Sequence, residues 1–372
     1  MNSDVLDSLT DPAVLFFFLG LFVGVIKSNL EIPAPIAKFL SLYLLMAIGF
    51  KGGQALSDTG LSGDALKVIG AALFLALIIP AIWFFVLSRR INAFDASAIA
   101  ATYGSVSAVT FVVASQFVAD RGEEAGGYLT VALVLMESPA IVMAVLLATW
   151  VRSQSGTNMS TGFGSRLILN EQLPKRKSGA QGETLVPEAD YPGGHTQVAT
   201  SEHGATNTPL SIKEVLHEAF TDGAHLLLLG SMLIGFISGK SGGEAMAPFI
   251  NDVFKGLLAF FLLEMGLLVA RQLREVRDVG PFLVGFGVCV PFVNAAMALL
   301  LGSALGLSVG DLTLLAALAS SGSYIVVPAV IRYAIPEARP SRYFTLALGI
   351  TFPINVAIGI PLYYAAASAL AG

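Results

Sequence analysis

The chain has 372 residues, of which 55% are hydrophobic and 13% charged, and its mean hydropathy is +0.75. Soluble domains carry about 25% charged residues, so this composition excludes an ordinary soluble globule and indicates an all-α integral membrane protein. The net charge of −5 argues against a nucleic-acid partner, and the single cysteine, Cys289, excludes a disulfide framework.

A membrane crossing needs roughly 20 mostly apolar residues, and the sequence offers about ten such stretches. The first five lie near 13–28, 34–56, 66–88, 96–118 and 128–151. The opening residues Met1-Asn2-Ser3-Asp4 are acidic, whereas a secretory signal begins with positive charge, so the first span is expected to be retained. A polar segment follows, rich in Ser, Thr, Gly, Asn, Gln and Pro and containing Lys175-Arg176-Lys177. Such a composition buries too little apolar surface to fold alone and reads as a linker, with a docked piece expected at 186–191. Five more spans lie near 223–239, 249–271, 279–306, 311–333 and 343–370. The expected organisation is a first five-helix repeat at 1–152, a polar linker at 153–212 and a second repeat at 213–372.

The two halves echo one another. Tyr103-Gly104-Ser105-Val106-Ser107 is followed by Tyr128-Leu129-Thr130 and Pro139; Ala319-Ser320-Ser321-Gly322-Ser323 is followed by Tyr343-Phe344-Thr345 and Pro353. Leu45-Met46-Ala47-Ile48-Gly49 echoes Leu263-Glu264-Met265-Gly266, and Phe18-Leu19-Gly20 echoes Leu228-Leu229-Gly230. With an odd number of spans per half, a 5+5 repeat is inverted in the membrane, which suits alternating access. Lys and Arg in short loops fall mainly on one side (Arg89, Arg90, Arg152, Arg271, Arg274, Arg339, Arg342), the other side being rich in Asp and Glu. The positive-inside rule makes the first side cytoplasmic, with the linker on it and both termini outside.

Gly/Ser interruptions at corresponding places in two halves point to a transporter's midplane site. A helix interrupted in hydrocarbon frees backbone groups that need partners. Its positive N-terminal half-end suits a small anion, while freed carbonyls and hydroxyls suit Na⁺. The alternative, that small residues merely allow close helix packing, is weakened by the matched register. Gly104, Ser105, Ser107, Ser321, Gly322 and Ser323 are therefore candidate substrate ligands. Glu137 lies mid-span, where an unpaired carboxylate costs several kcal/mol, and is a candidate to bind a cation or carry a proton. Thr110, Ser320, Tyr324, Thr351 and Asn355 complete the candidate cation set. Glu264 is a further membrane carboxylate, and Lys51 and Arg332 sit near span ends. His195, His203, His217 and His225 lack metal-ligand spacing. No nucleophile elbow, phosphate-binding loop or metal-binding His pair appears, so no enzyme and no organic cofactor are expected, and uphill transport would draw on an ion gradient.

Gly104-Ser105-Val106-Ser107, Ser320-Ser321-Gly322-Ser323, Ile335-Pro336 with Pro340-Ser341, and Asp190-Tyr191-Pro192 together resemble the cyanobacterial-type sodium-dependent bicarbonate transporter family. The resemblance covers most of the chain. It implies Na⁺-coupled bicarbonate symport, with bicarbonate held between two interrupted helices and Na⁺ as coupling ion. It also implies a homotrimer in the bacterial inner membrane and a PII-like regulatory protein docking from the cytoplasm. Two other readings remain from the residues: transport of another small anion, H⁺-coupled through Glu137, or a membrane sensor or scaffold without flux.

Overall fold

In the computed structural model the described residues are 10–60, 63–156, 223–324 and 326–371; most of the linker, with Asp190-Tyr191-Pro192, His195, His203 and His217, lies outside them. All regular structure among the described residues is helical. The elements are α1 (Pro12–Val25), α2 (Ala34–Thr59), α3 (Gly63–Leu87), α4 (Ala93–Gly104), α5 (Ala108–Ala119), α6 (Tyr128–Gly156), α7 (Gly223–Ala247), α8 (Val253–Gln272), α9 (Val276–Val279), α10 (Pro281–Ala304), α11 (Val309–Ser320), α12 (Val326–Ala334), α13 (Pro340–Phe344), α14 (Phe352–Ile354) and α15 (Ile360–Ala371). Two π-helical stretches, Thr345–Thr351 and Asn355–Gly359, join α13, α14 and α15.

Among the described residues, seven helical segments are long and apolar enough to cross a membrane. The sequence-based count of ten differs for local reasons. The expected sixth and seventh spans form one helical run, Gly223–Gln272, kinked at Gly239, whose φ of 54° only glycine adopts readily. The expected first and ninth spans contain helices of 14 and 12 residues, Pro12–Val25 and Val309–Ser320, too short alone to cross.

Caps set several starts. Asp11 accepts from Ala13 N (2.8 Å) and Val14 N (3.3 Å) to open α1, where Pro12 occupies a position that needs no N–H. Asn92 opens α4 through Phe94 N (2.8 Å), and Ser308 opens α11 through Asp311 N (3.2 Å).

The helices pack in two groups. In the first, α1 lies on α8 and α2 on α7. Glycines line both seams so closely that no side chain fits. A Cβ on Gly20 would lie 2.1 Å from Leu263 O and one on Gly266 2.2 Å from Phe17 O. One on Gly53 would lie 1.9 Å from Met232 O and one on Gly235 2.2 Å from Phe50 O. This is the close backbone approach that small residues permit where no hydrophobic effect drives helices together. The second group gathers α3, α4 and α6 with α10, α11 and α15. Large apolar side chains point outward from the long helices, among them Leu66, Ile237 and Leu300, as a lipid-facing surface requires. By contrast, 94% of the most apolar stretch of Ala93–Ala119 is buried within the protein.

Candidate functional site

The burial of Ala93–Ala119 makes its interruption tolerable, because non-helical backbone at membrane depth must be enclosed by protein or line a cavity. Helix α4 ends at Gly104, whose missing side chain makes room for the Pro80 ring of α3; a Cβ there would lie 2.6 Å from Pro80 Cγ. Ser105 and Ser107 are extended, and Ser107 Oγ then accepts from Thr110 N (3.2 Å), capping α5. The second interruption follows the same plan. Helix α11 ends at Ser320, Ser321 is extended, and Ser323 Oγ accepts from Val327 N (3.3 Å) as α12 begins.

The two interruptions touch. Ser107 N donates to Ser321 Oγ (2.9 Å) and Ser323 N donates to Thr102 O (3.0 Å), so a backbone N–H of each extended stretch finds its acceptor in the other broken helix, a side-chain hydroxyl in one case and a carbonyl in the other. Gly322 faces Thr102 O and Ala347 Cβ, which a Cβ would approach to 3.6 and 3.3 Å.

Between these stretches and helices α2, α6 and α7 lies a cavity of about 50 Å³, enough for a few water-sized atoms. Ser107, Ala108, Ser323, Tyr324, Glu137 and His225 line it. The start of α5 thus borders the cavity, and the chain entering α12 borders it too. Helix N-termini carry partial positive charge and free N–H groups, so this is an environment for a small anion. Around the first interruption the hydroxyls of Thr102, Ser105 and Thr110 are buried without a hydrogen-bond partner, and the buried Tyr324 hydroxyl faces Ser107. Buried polar groups are nearly always satisfied, so these hydroxyls have spare hydrogen-bonding capacity beside the cavity. Tyr324, 7% exposed, packs its ring against Phe352.

Glu137, on α6, seats its Oε2 against Nε2 of His225 on α7. Sequence reasoning sets His225 aside as lacking metal-ligand spacing and does not pair it with Glu137. It stands at the start of the sixth expected span and meets a carboxylate far upstream, and no spacing rule signals that encounter.

The remaining candidates are dispersed. Ser320 O accepts from Asn355 Nδ2 (3.1 Å), while Asn355 Oδ1 accepts from Tyr363 OH (2.7 Å). Thr351 Oγ1 donates to Gly287 O (2.8 Å) and is bonded to Tyr103 OH (2.6 Å). Thr351 and Asn355 therefore sit in the wall behind the second interruption with their side chains engaged. Thr110 stays beside the first interruption with its hydroxyl oxygen unsatisfied. Glu264, buried on α8, and Lys51, whose ammonium lies 4.5 Å over the Phe254 ring, do not line the cavity. Among the described residues no cluster of three His, Cys, Asp or Glu side chains could hold a metal ion. The hydroxyl oxygens of Ser105 and Thr110 and the carboxylate of Glu137, which lines the cavity, are hard oxygen donors of the kind Na⁺ accepts.

Residues 12–368 match the family model described as the Na⁺-dependent bicarbonate transporter superfamily. No curated protein matches the chain.

Proposed function

The chain belongs to the Na⁺-dependent bicarbonate transporter superfamily, and from that premise we propose that it imports bicarbonate by Na⁺ symport across the bacterial cytoplasmic membrane. The observation that carries this reading is the meeting of the two interrupted helices at one small cavity. The start of α5 and the chain leading into α12 offer N–H groups and positive partial charge to bicarbonate. The hydroxyls of Ser107 and Ser323 cap those helices through their lone pairs, which leaves their hydrogens to donate to the anion. Gly104 and Gly322 keep the neighbouring walls close and Ser105 supplies a further hydroxyl, while Ser321 Oγ, which donates to Leu318 O (2.8 Å) and accepts from Ser107 N, ties the two interruptions together. Na⁺ takes the orphan oxygens around the first interruption, so the cation neutralises the anion where no lysine or arginine lines the cavity. Binding both ions together is what couples them.

On the same reading the chain is a 5+5 inverted repeat of ten spans. The repeats are 1–152 and 213–372, and the linker 153–212 is cytoplasmic. The pairing of α1 with α8 and of α2 with α7 across glycine seams supports that division, since each seam joins one helix from each half. A homotrimer and a PII-like cytoplasmic partner belong to this proposal through the family resemblance.

The test is radiolabelled bicarbonate uptake into proteoliposomes at fixed alkaline pH, with Na⁺ or choline outside. Accumulation that requires Na⁺ is expected; equal uptake in choline refutes the coupling. A second reading, uptake of a small anion coupled to H⁺, is favoured by the contact of Glu137 with His225 on the cavity wall. It predicts accumulation driven by an imposed pH gradient without Na⁺, lost in Glu137→Gln.

A further inference from the structure

Two buried aspartates far from the cavity stand in the same relation to the two halves. Asp95 is the third residue of α4 and Asp311 the third residue of α11, the helices that run into the two interruptions. The interval between them in the sequence equals that between Ser107 and Ser323. Both carboxylates are buried, at 3% and 5% exposure.

Each aspartate is tied to the opposite half. Asp95 accepts from Arg339 N (2.8 Å) and Arg342 Nη1 (2.7 Å), at the start of α13. Asp311 accepts from Gly126 N (2.8 Å) and from Tyr128 OH, at the start of α6. In both ties one oxygen takes a backbone N–H and the other a side chain. The ties lie at opposite ends of α6. Tyr128 opens that helix, and Arg152 near its other end bonds Glu337 (2.7 Å) and Ala334 O (2.9 Å), just before Arg339. At 1.5 Å per residue the two ends are about 36 Å apart.

We propose that Asp95 and Asp311 are positioning residues of the transport site. Each fixes the depth at which its 12-residue half-helix, about 18 Å long, delivers an interruption to the cavity. The extended stretches have few ladder bonds of their own, so their mutual register depends on where the half-helices are held. A half-helix released at its far end slides or rotates. Its terminal serine then leaves the position in which Ser107 N reaches Ser321 Oγ. The partners differ: Asp95 faces the cationic Arg342, whereas Asp311 takes two neutral donors. Removing Asp95 strands a half-buried guanidinium, so Asp311 is the cleaner place to test the idea.

The inference rests on the bicarbonate reading for its kinetic readout, and a second readout is independent of substrate. Uptake kinetics are measured for Asp311→Ala, Asp311→Asn and Tyr128→Phe. Separately, Ser107→Cys/Ser321→Cys in a Cys289→Ser background reports the rate of disulfide formation across the interruptions, with and without Asp311→Ala. Asp311→Ala should raise the KM for bicarbonate about tenfold with Vmax within about twofold, and should slow cross-linking at least threefold. Asp311→Asn, which keeps an acceptor for Gly126 N–H, should recover both to within about threefold of the parent. Tyr128→Phe, a milder change should Asp311→Ala not fold, should raise KM about threefold. An unchanged KM and cross-linking rate in Asp311→Ala, or an Asn variant no better than Ala, overturns the proposal. Absence of bicarbonate uptake in the parent protein overturns the functional reading instead, and the cross-linking rates then decide the positioning role alone.

Discussion

Ser107→Ala separates ligand recognition from helix stability. In the folded protein Ser107 Oγ accepts from Thr110 N at 3.2 Å to cap α5, and it lies within hydrogen-bond reach of the Tyr324 hydroxyl. Loss of an N-cap costs about 1 kcal/mol, which lowers stability slightly and leaves substrate affinity alone. If the hydroxyl hydrogen also binds bicarbonate, its loss removes a bond to a charged group worth about 1.5–3 kcal/mol, and KM rises roughly 10- to 150-fold. Asp11→Ala is the control. It removes the cap of α1, which accepts from Ala13 N and Val14 N, far from the cavity. Initial rates of Na⁺-driven uptake over a range of bicarbonate concentrations, together with melting temperatures in detergent, give both quantities for both variants. Ser107→Ala should match Asp11→Ala in stability and depart from it in KM. A KM within twofold of the parent protein would mean that the α5 cap does not touch substrate, and the anion would have to be placed elsewhere.

Other substitutions test neighbouring parts of the argument. Gly104→Ala forces a Cβ to within 2.6 Å of the Pro80 ring and should cost about 1–3 kcal/mol by overpacking. Gly322→Ala, whose nearest neighbour is Ala347 Cβ at 3.3 Å, should cost less than half of that; equal melting temperatures would contradict the packing. His225→Leu leaves Glu137 buried without its partner. A double-mutant cycle with Glu137→Gln should therefore give a coupling of at least about 1 kcal/mol, and additive effects would rule out the contact. Gly20→Ala, which drives a Cβ to 2.1 Å from Leu263 O, should abolish recovery of monodisperse protein, whereas Gly70→Ala, with open space around it, should not.

The membrane character, the helical class and the location of both interruptions were legible in the sequence, because each rests on local composition. Gly104 and Ser107 announce a helix that stops and restarts, and the structure stops and restarts it there. What the sequence leaves open is which neighbour a side chain meets. Glu137 reads as an isolated membrane carboxylate until α7 places His225 against it. Thr351 and Asn355 lie in the right segment, but the π-helical turns around them direct both side chains to Tyr103, Gly287, Ser320 and Tyr363. The ties of Asp95 and Asp311 were equally hidden, since each joins residues from opposite halves.

The glycine seams also bear on how the protein comes to be made. Gly20 and Gly266 meet across one seam and lie 246 residues apart in the chain, so at ribosomal speeds of about 5–20 residues per second α1 waits roughly 10–50 s for α8 to be synthesised. Throughout that interval α1 lies in the bilayer with one face of exposed backbone-lined glycine and no partner. Within the first half α3, α4 and α6 can already pack on one another, whereas α1 and α2 keep small-residue faces open that other helices could capture. Closure of both seams therefore waits on the second half, and a fragment ending after α6 would leave both open.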